Sequence, residues 1–410
     1  MRNNPDMENG MVVAQRLTEA REVAGYSQDQ VAVAIDVSRP MISYWESGSR
    51  TPSDRQLVGL ARLYGVDIAV LLGDHPVEDT QTAARMMFRG ADAALPPEAG
   101  GGLRDFERFL DIYARLADQT GFAIHGMQQS PFTTSGGFES ADDARRKAEE
   151  VRAYLRLGLG PIGDVDRVSE LLGVTVLRAS LGADLSRTIS GAFFRHPRVG
   201  FSVLVNLEMT PGRRRFTTVH ELAHALFHSD RERYVLSFAT KDPRERFADI
   251  FAGEFLMPTE SIRRVMEEHG FGPRITDAAD VIHLQRFFKV SYATALVRLR
   301  QARYLSQTLY EEFKGVRPVL FARALGYEPD PGEYEQDADQ WRLRRYPPRF
   351  LRLLRHAIQR EKISIPTAAS LVEVSIDEMA GFAAAGPSAV DQTSLESREA
   401  AEFETTGVLG

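Results

Sequence analysis

The stretch His220–Glu221–Leu222–Ala223–His224 is the feature that most constrains this chain. Residues four apart lie on the same face of an α-helix, so His220 and His224 can direct two imidazole nitrogens to one point. Glu221 follows His220 directly, and its carboxylate therefore lies beside that point. This H-E-x-x-H arrangement predicts a helix on which the histidines bind Zn²⁺ and Glu221 acts as a general base on water.

Two simpler interpretations of the same stretch have to be weighed. Thr218 and Glu221 have the spacing of a capping box, which would make Glu221 a residue of the helix start. The histidines could also be ordinary side chains on an amphipathic helix. The chain has only 9 His in 410 residues, so a chance match to this pattern is rare, and zinc binding is the favoured interpretation.

A catalytic zinc site needs a third protein ligand and an open fourth position. A third histidine in the pattern H-E-x-x-H-x-x-G-x-x-H is absent, because Phe227 and Asp230 occupy the Gly and His positions. Residues 244–258 have apolar side chains at helical spacing, and they predict a second core helix that ends near Pro258. Glu245, on the other side of that helix, is the preferred third ligand.

Asp249 lies four residues after Glu245, on the same side of the predicted helix. We expect Asp249 to accept a hydrogen bond from the far nitrogen of a ligand histidine. Two alternatives stay open for the third ligand. Glu245 could be a solvated charge beside its two arginine neighbours, and either Asp230 or Glu254 could then complete the site.

Two motifs together resemble the ImmA/IrrE family of zinc metallopeptidases. The first is Arg-Phe-Thr-x-x-His-Glu-x-x-His-Ala at residues 215–225, and the second is Glu-x-x-Ala-Asp-x-Phe-Ala-x-Glu-x-Leu-Met-Pro at residues 245–258. The resemblance covers roughly residues 140 to 310. It implies that the two histidines and Glu245 bind zinc, that Glu221 is the catalytic base, and that proteolysis is narrow, typically of a partner repressor.

Residues 11–74 predict a compact all-α domain. Its third helix is predicted over Arg39–Glu46, with Ile42 and Trp45 facing the core. The domain resembles the helix-turn-helix domain of XRE/Cro-type repressors, in which the third helix enters the major groove of DNA. The residues that carry this resemblance are Ser27–Gln28–x–x–Val31–Ala32, Ile42–Ser43–x–Trp45–Glu46–x–Gly48, Thr51–Pro52 and Tyr64–Gly65–Val66–x–x–x–x–Leu71–Leu72.

The same resemblance places DNA-contacting residues around the third helix. Arg39, Ser43 and Tyr44 would face bases, while Gln28 and Arg50 are placed for phosphate contacts. The alternative is a domain that only contacts proteins, because it has no net positive charge. The net charge of the whole chain, -7, likewise means that any DNA contact must be local.

The rest of the chain predicts a multidomain protein, in which the helix-turn-helix domain precedes an α+β zincin-like metallopeptidase domain and a helical C-terminal region. Three strands are predicted at residues 174–177, 189–194 and 201–206. The last strand could offer an open edge to an extended substrate, or it could be a plain core strand. The remaining boundaries are a disordered N-terminus at 1–10, a linker at 75–103 rich in Pro and Gly, the peptidase domain at 104–310, the helical region at 311–385 and a disordered tail at 386–410.

Other candidate residues lie outside the two motifs. His228 continues the histidine stripe by one turn and is interpreted as a helix-end residue. Tyr292, His283 and Tyr304 could each assist an oxyanion, although a core or surface position explains each equally well.

The predicted setting is the cytoplasm. The chain has no Cys, which excludes disulfides and thiolate ligands. The first ten residues are polar and lack the apolar core of a signal peptide, and no apolar run is long enough for a membrane helix. The expected partners are operator DNA, a protein substrate such as a repressor or antitoxin-like regulator, and a second copy if the protein dimerises. No membrane partner is expected.

Together these features predict a DNA-binding transcriptional regulator with a zinc-dependent endopeptidase domain. The alternative is a non-enzymatic repressor or antitoxin whose zinc-site domain only senses or binds a partner.

Overall fold

The computed structural model describes residues 5–385 except 25, 65, 67, 74–96, 133–139, 182–190, 229–233, 237–242 and 329–341. By its contacts the chain divides into two compact units. One unit comprises residues 1–114 and 124–336, and the other comprises residues 115–123 and 337–410. Among the described helices, none is long and apolar enough to cross a bilayer.

The N-terminal domain is all-α, as predicted. Its helices are α1 (Pro5–Ala24), α2 (Gln28–Ala34), α3 (Arg39–Glu46), α4 (Asp54–Tyr64) and α5 (Ile68–Leu71). A capping box between Ser27 and Gln30 begins α2, and Ser38 occupies the N-cap position of α3. Ile42 and Trp45 are buried in the core of this domain, which fixes the opposite face of α3 toward solvent.

The prediction of a disordered segment over residues 1–10 is wrong from Pro5 onward. Helix α1 begins at Pro5. Proline is well suited to the first helical turn, because its φ is already helical and its missing N–H would have no partner there. The polar composition of these residues therefore indicated exposure and was mistaken for disorder.

The predicted linker over residues 75–103 is wrong at its C-terminal end. A 24-residue helix, α6 (Pro97–Thr120), includes the three glycines that had indicated a loop. The side chains of Leu103, Phe106 and Leu110 are buried, and the Phe106 ring lies 6.3 Å from that of Phe194, so tertiary packing overrides the low helix propensity of glycine. Residues 75–96 of the predicted linker lie outside the described residues.

The central region is α+β, as predicted. Its first elements are α7 (Ala141–Tyr154), α8 (Val165–Leu171), β1 (Thr175–Ala179), β2 (Gly191–His196), β3 (Gly200–Asn206), α9 (Pro211–Phe227) and β4 (Tyr234–Leu236). The four strands form one sheet in the order β1-β3-β2-β4. β1 pairs with β3 in parallel, whereas β2 is antiparallel to both β3 and β4.

The expectation that the strand before the H-E-x-x-H helix offers an open edge is wrong. This strand is β3, which is paired on both sides and buried along its whole length. Its continuous run of apolar residues is typical of a strand covered on both faces, which was the alternative interpretation.

The second half of the central region is helical. It contains α10 (Pro243–Leu256), α11 (Thr259–Glu268), α12 (Ala278–Phe288), α13 (Tyr292–Gln301), α14 (Gln307–Phe313) and α15 (Pro318–Ala324). Helix α10 packs on both α7 and α9, and the three helices share an apolar core with the sheet. Because Phe313 and Ala322 belong to that core, the predicted boundary at residue 310 does not coincide with the division into compact units.

The C-terminal region is helical, as predicted. After a short 3-10 turn at Leu343–Arg345 it contains α16 (Pro348–Gln359), α17 (Ile365–Leu371) and α18 (Ile376–Ala384). Phe350, Leu353 and Leu354 of α16 are buried, as is Met379 of α18. Residues 386–410 of the predicted tail lie outside the described residues.

Gly102 of α6 provides a test of the packing that overrides the linker pattern. A Cβ atom at Gly102 would lie 2.5 Å from Leu181 Cδ2 and 2.8 Å from the backbone oxygen of Ser180. We expect Gly102→Ala to lower the free energy of unfolding by about 1–3 kcal/mol through this overpacking, although alanine is the better helix former.

Chemical denaturation of the two proteins measures this difference. The matched control is Gly160→Ala, because a Cβ atom at Gly160 meets no atom within 4 Å. Equal stability of Gly102→Ala and the wild-type chain would show that α6 does not need this close approach.

Candidate metal centre and nucleic-acid interface

Helix α9 carries the H-E-x-x-H stretch in its buried middle. The helix begins at Pro211, and Thr218 lies within it, where its Oγ1 donates to the carbonyl oxygen of Arg214 at 2.9 Å. The capping-box interpretation of Glu221 is therefore wrong, because Glu221 is more than two turns from the helix start. Every residue from Thr217 to Phe227 is buried, so the histidines are oriented by packing on all sides.

The structure brings His220, His224 and Glu245 together. The Nε2 atoms of the two histidines are 3.2 Å apart. Glu245 directs Oε2 toward His220 Nε2 at 3.2 Å and Oε1 toward His224 Nε2 at 3.3 Å. The Glu245 side chain is only 14% exposed, which excludes the interpretation of a solvated charge.

These distances suit a metal ion held between the two Nε2 atoms and the carboxylate of Glu245, whose two oxygens each face one histidine. Ligands about 2.0–2.1 Å from a tetrahedral zinc ion are separated from each other by about 3.3 Å. The observed separations are 3.2, 3.2 and 3.3 Å. Two ring nitrogens facing each other this closely require either a shared proton or a cation between their lone pairs. The donor set, two imidazoles and one carboxylate, is one that zinc accepts.

Two further residues contact the outer nitrogens of the histidine pair. Asp249 Oδ1 lies 3.0 Å from Nδ1 of His220, as expected from the sequence. His228 Nδ1 lies 2.8 Å from Nδ1 of His224. A proton on Nδ1 of each inner histidine would satisfy both contacts and leave both Nε2 lone pairs directed at the common point.

His228 was predicted to be a helix-end residue, and it does occupy the C-cap of α9. Its contact with His224 was not anticipated. The available signal was the spacing itself, because His220, His224 and His228 follow one another at intervals of four and lie on one helix face.

The protonation of the cluster is set by competing effects of burial and hydrogen bonding. Burial lowers the pKa of His220, but hydrogen bonds with Asp249 and Glu245 outweigh it and raise the pKa to about 10. Burial lowers the pKa of His224 to about 4, and the neighbouring histidines add to this effect. For Glu245, burial raises the pKa, whereas the hydrogen bonds with both histidines lower it to about 2. A metal ion would thus displace a proton from His220.

Glu221 is fully buried beside the histidine pair. The first residue of β2, Gly191, lies directly against it: a Cβ atom at Gly191 would be 2.9 Å from Oε1 of Glu221. The absence of a side chain at Gly191 therefore leaves the space that the carboxylate occupies.

The remaining candidate residues have partners outside the histidine cluster or lie outside the described residues. Glu254 forms a buried ion pair with Arg298 at 2.5 Å and accepts hydrogen bonds from Thr259, which removes it as an alternative ligand. Asp230 lies outside the described residues. The Tyr292 hydroxyl donates to the carbonyl of Phe313, with burial raising its pKa to about 12.

Among the described residues, neither His283 nor Tyr304 contacts the histidine pair or Glu245. His283 Nδ1 lies 2.5 Å from the hydroxyl of Tyr327, and the ring of Tyr304 packs against the apolar core. The oxyanion role expected for one of these residues or Tyr292 therefore has no support from their contacts.

Helix α3 presents the predicted base-contacting residues to solvent. Arg39, Ser43 and Tyr44 are exposed, whereas the other face of the helix is buried. Arg50 is also exposed, and its guanidinium lies over the Tyr44 ring at 5.4 Å from the centroid. Arg39 approaches Asp29 at 3.4 Å, a contact between two exposed side chains that contributes little.

Gln28 is more engaged than the sequence predicts. Its Nε2 donates to Glu46 at 3.0 Å, and Glu46 also forms a close ion pair with Arg21 at 2.6 Å. One N–H of the Gln28 amide is therefore used within the domain, and only the second can reach a phosphate.

The fold and the centre define a helix-turn-helix domain followed by an α+β domain with a cluster suited to a metal ion. Comparison with known families agrees with both parts. Residues 17–71 match the helix-turn-helix family, and residues 170–300 match the IrrE N-terminal-like domain, a metallopeptidase-type family.

One curated relative matches the N-terminal part. The HTH-type transcriptional regulator ImmR of Bacillus subtilis (strain 168) is 36% identical over 67 residues, which are 16% of this chain. The match spans 53% of that regulator, about half its length. The chain thus combines an XRE-type helix-turn-helix domain with an ImmA/IrrE-like domain.

The geometry of the cluster predicts about one metal ion per chain, and its donor set suits zinc. We expect His220→Ala and His224→Ala to lose this ion and Glu245→Ala to bind it much more weakly, because each removes one donor. Metal analysis of the purified proteins measures the stoichiometry. Glu260→Ala, which removes an exposed carboxylate of α11, should retain the ion. Full retention in Glu245→Ala would instead point to Asp230.

Proposed function

We propose that this protein is a DNA-binding transcriptional regulator whose zinc-dependent endopeptidase domain cleaves a specific partner protein, a repressor or an antitoxin-like regulator. The observation that carries the proposal is the cluster of His220, His224 and Glu245, with Glu221 on the same helix. The match of residues 170–300 to a metallopeptidase-type family supports it.

In this proposal each residue of the centre has a separate role. His220, His224 and Glu245 hold the metal, while Asp249 and His228 fix the orientation of the two imidazoles. The zinc ion, when bound, supplies a Lewis acid for the peptide carbonyl and for water. Glu221 accepts the proton of the attacking water and delivers it to the leaving amine.

The burial of the centre favours a second candidate function. Glu221 is 0% exposed and His224 is 1% exposed, so a substrate would need a conformational opening to reach them. A non-enzymatic repressor or antitoxin, in which the zinc-site domain only senses or binds a partner, needs no such opening. The two candidates differ in whether Glu221 performs chemistry.

The DNA-binding role is supported by the exposed face of α3. Its exposed arginine and tyrosine side chains are suited to base edges. If the protein forms a homodimer, its operator is expected to be palindromic, with half-sites about one helical turn of DNA apart.

The variant Glu221→Gln tests the enzymatic role. We expect it to keep its metal and to lose cleavage, because an amide cannot accept a proton from water. The measurement is cleavage of the regulators encoded by neighbouring genes, followed by gel electrophoresis and mass spectrometry.

The matched control for this test is Glu268→Gln, an exposed position on α11. Wild-type cleavage rates in Glu221→Gln would refute the general-base role. A zinc-loaded wild-type chain that cleaves none of these regulators would favour the non-enzymatic candidate.

Variants of the N-terminal domain test the DNA-reading role. Arg39→Ala and Tyr44→Ala should reduce discrimination between operator and random DNA by about 1–3 kcal/mol, because they remove base contacts. Arg50→Ala should weaken binding to both duplexes similarly, because a phosphate contact carries no sequence information. Fluorescence anisotropy of the full chain measures both, with Arg167→Ala as the control. An unchanged preference in both base-contact variants would remove α3 as the reader.

A further inference from the structure

Strand β2 brings the backbone of the sheet to the Glu221 carboxylate. Its first residue, Gly191, lies so close that a Cβ atom there would be 2.9 Å from Oε1 of Glu221. Helix α9 packs on β2, and side chains alternate along a strand, so Gly191 and Phe193 share the face that meets this helix. A peptide that pairs with β2 along its whole length would therefore run past Glu221.

Helices cover both faces of β2. Phe193, on the α9 face, is fully buried in the core. On the other face the Phe194 ring lies 6.3 Å from that of Phe106 in α6, and Nε2 of His196 lies 3.3 Å from Oδ1 of Asp111 in the same helix. A peptide can thus meet β2 only along an edge of the strand, through backbone hydrogen bonds.

The two edges of β2 are paired to different extents. The ladder with β3 includes all six residues of β2, Gly191–His196. On the other edge, β4 comprises only the three residues Tyr234–Leu236 and pairs antiparallel with Ala192, Phe193 and Phe194. Because a shorter ladder has fewer hydrogen bonds, β4 separates from β2 more readily than β3 does.

The outer edges of the described sheet lie too far from Glu221 to bring a peptide beside it. Neighbouring strands are about 4.8 Å apart, so a peptide added outside β4 would lie about 10 Å from β2. β1, at the opposite edge, is separated from β2 by β3. Among the described strands, only the position of β4 would let a peptide backbone border Gly191.

The place of β4 in the chain allows it to move without the metal-binding residues. It lies between α9 and α10, the helices that carry His220, His224 and Glu245. These two helices have their own packing, in which the Phe227 ring lies 5.5 Å from that of Phe247. Separation of β4 from β2 therefore leaves the three donor side chains in place.

We propose that β4 occupies the position of the substrate, and that a segment of the partner protein binds by replacing β4 along β2. This inference rests on the proposed function and specifies its substrate as an extended segment that adds an antiparallel strand to β2. A helical segment is excluded as the cleavage site, because its backbone groups are already paired and cannot form a ladder. With β4 in place the centre is closed, in agreement with the 0% exposure of Glu221.

A reversible cross-link between β4 and β2 tests this exchange. The chain has no Cys, so Phe194→Cys with Tyr234→Cys introduces a single pair at directly opposite positions. Cα atoms at such positions are close enough for a disulfide. We expect the oxidised protein to keep its metal and to lose cleavage of the regulators encoded by neighbouring genes. A phosphine reductant should restore cleavage. Mass spectrometry establishes the cross-link.

The matched control is Phe194→Cys with Ser202→Cys, which joins β2 to β3 on its other edge. This control shares the loss of the Phe194 ring and should cleave equally well when oxidised and when reduced. If oxidation of the β2–β4 pair leaves cleavage unchanged, β4 does not occupy the substrate position and the inference is refuted.

A second variant weakens β4 instead of fixing it. Successive N–H groups of a strand point to opposite edges, so one proline of Tyr234→Pro with Val235→Pro removes a hydrogen bond to β2. The control is Tyr234→Ala with Val235→Ala, which removes the same side chains and keeps both N–H groups. We expect kcat/KM of the proline variant to exceed that of the control about fivefold, the effect of about one hydrogen bond. An equal or lower kcat/KM would contradict the inference.

Binding separates this inference from the proposed function. The affinity for each regulator is measured with the metal-loaded β2–β4 pair variant, oxidised and reduced. If the wild-type chain binds a regulator and cleaves none, the peptidase role fails. Tighter binding by the reduced form would then still uphold the replacement of β4, whereas equal binding by both forms would refute it. If the wild-type chain neither binds nor cleaves any regulator, both proposals fail.

Discussion

The packing of α9 against α10 is the interaction on which the centre depends. The Phe227 ring of α9 packs against two rings of α10, at 5.5 Å from Phe247 and 5.4 Å from Phe251. In this packing Glu245 reaches the Nε2 atoms of both histidines, and Asp249 reaches Nδ1 of His220. The apolar contacts thus determine where the polar atoms meet.

Buried charges constrain α10 at its other end. Arg298 pairs with Glu254 and donates to the carbonyl of Met257, and it packs so closely on Gly253 that a Cβ atom there would lie 2.6 Å from its Cδ. A buried pair of this kind adds little net stability, but losing one partner is costly, so it favours one arrangement of α10. The centre is therefore held by apolar packing on one side and by an ion pair on the other.

The helix-turn-helix corner shows how one backbone device serves different surroundings. Its left-handed residue, valine and capping serine occur at α2–α3, α12–α13 and α17–α18. The surroundings of the second helix differ among the three corners. Helix α3 exposes polar side chains, α13 packs closely against Gly212, and α18 exposes the apolar side chain of Ile376. The local sequence thus determines the turn, whereas the packing around the second helix determines what that helix can contact.

The sequence by itself determined the features that depend on short-range periodicity. The spacing of four placed the two histidines on one helix face. Capping serines marked the starts of α2 and α3. The two motifs indicated the two domain types. The sequence did not locate β4 or the central position of β3, because strand order depends on residues distant in the chain. It also missed the helical start of α6, where Gly102 lies close to Ser180 and Leu181. It left Glu245 and Glu254 as competing ligands. Tertiary structure decided between them, since one faces the histidines and the other faces Arg298, a difference set by the rotation of α10 within the core.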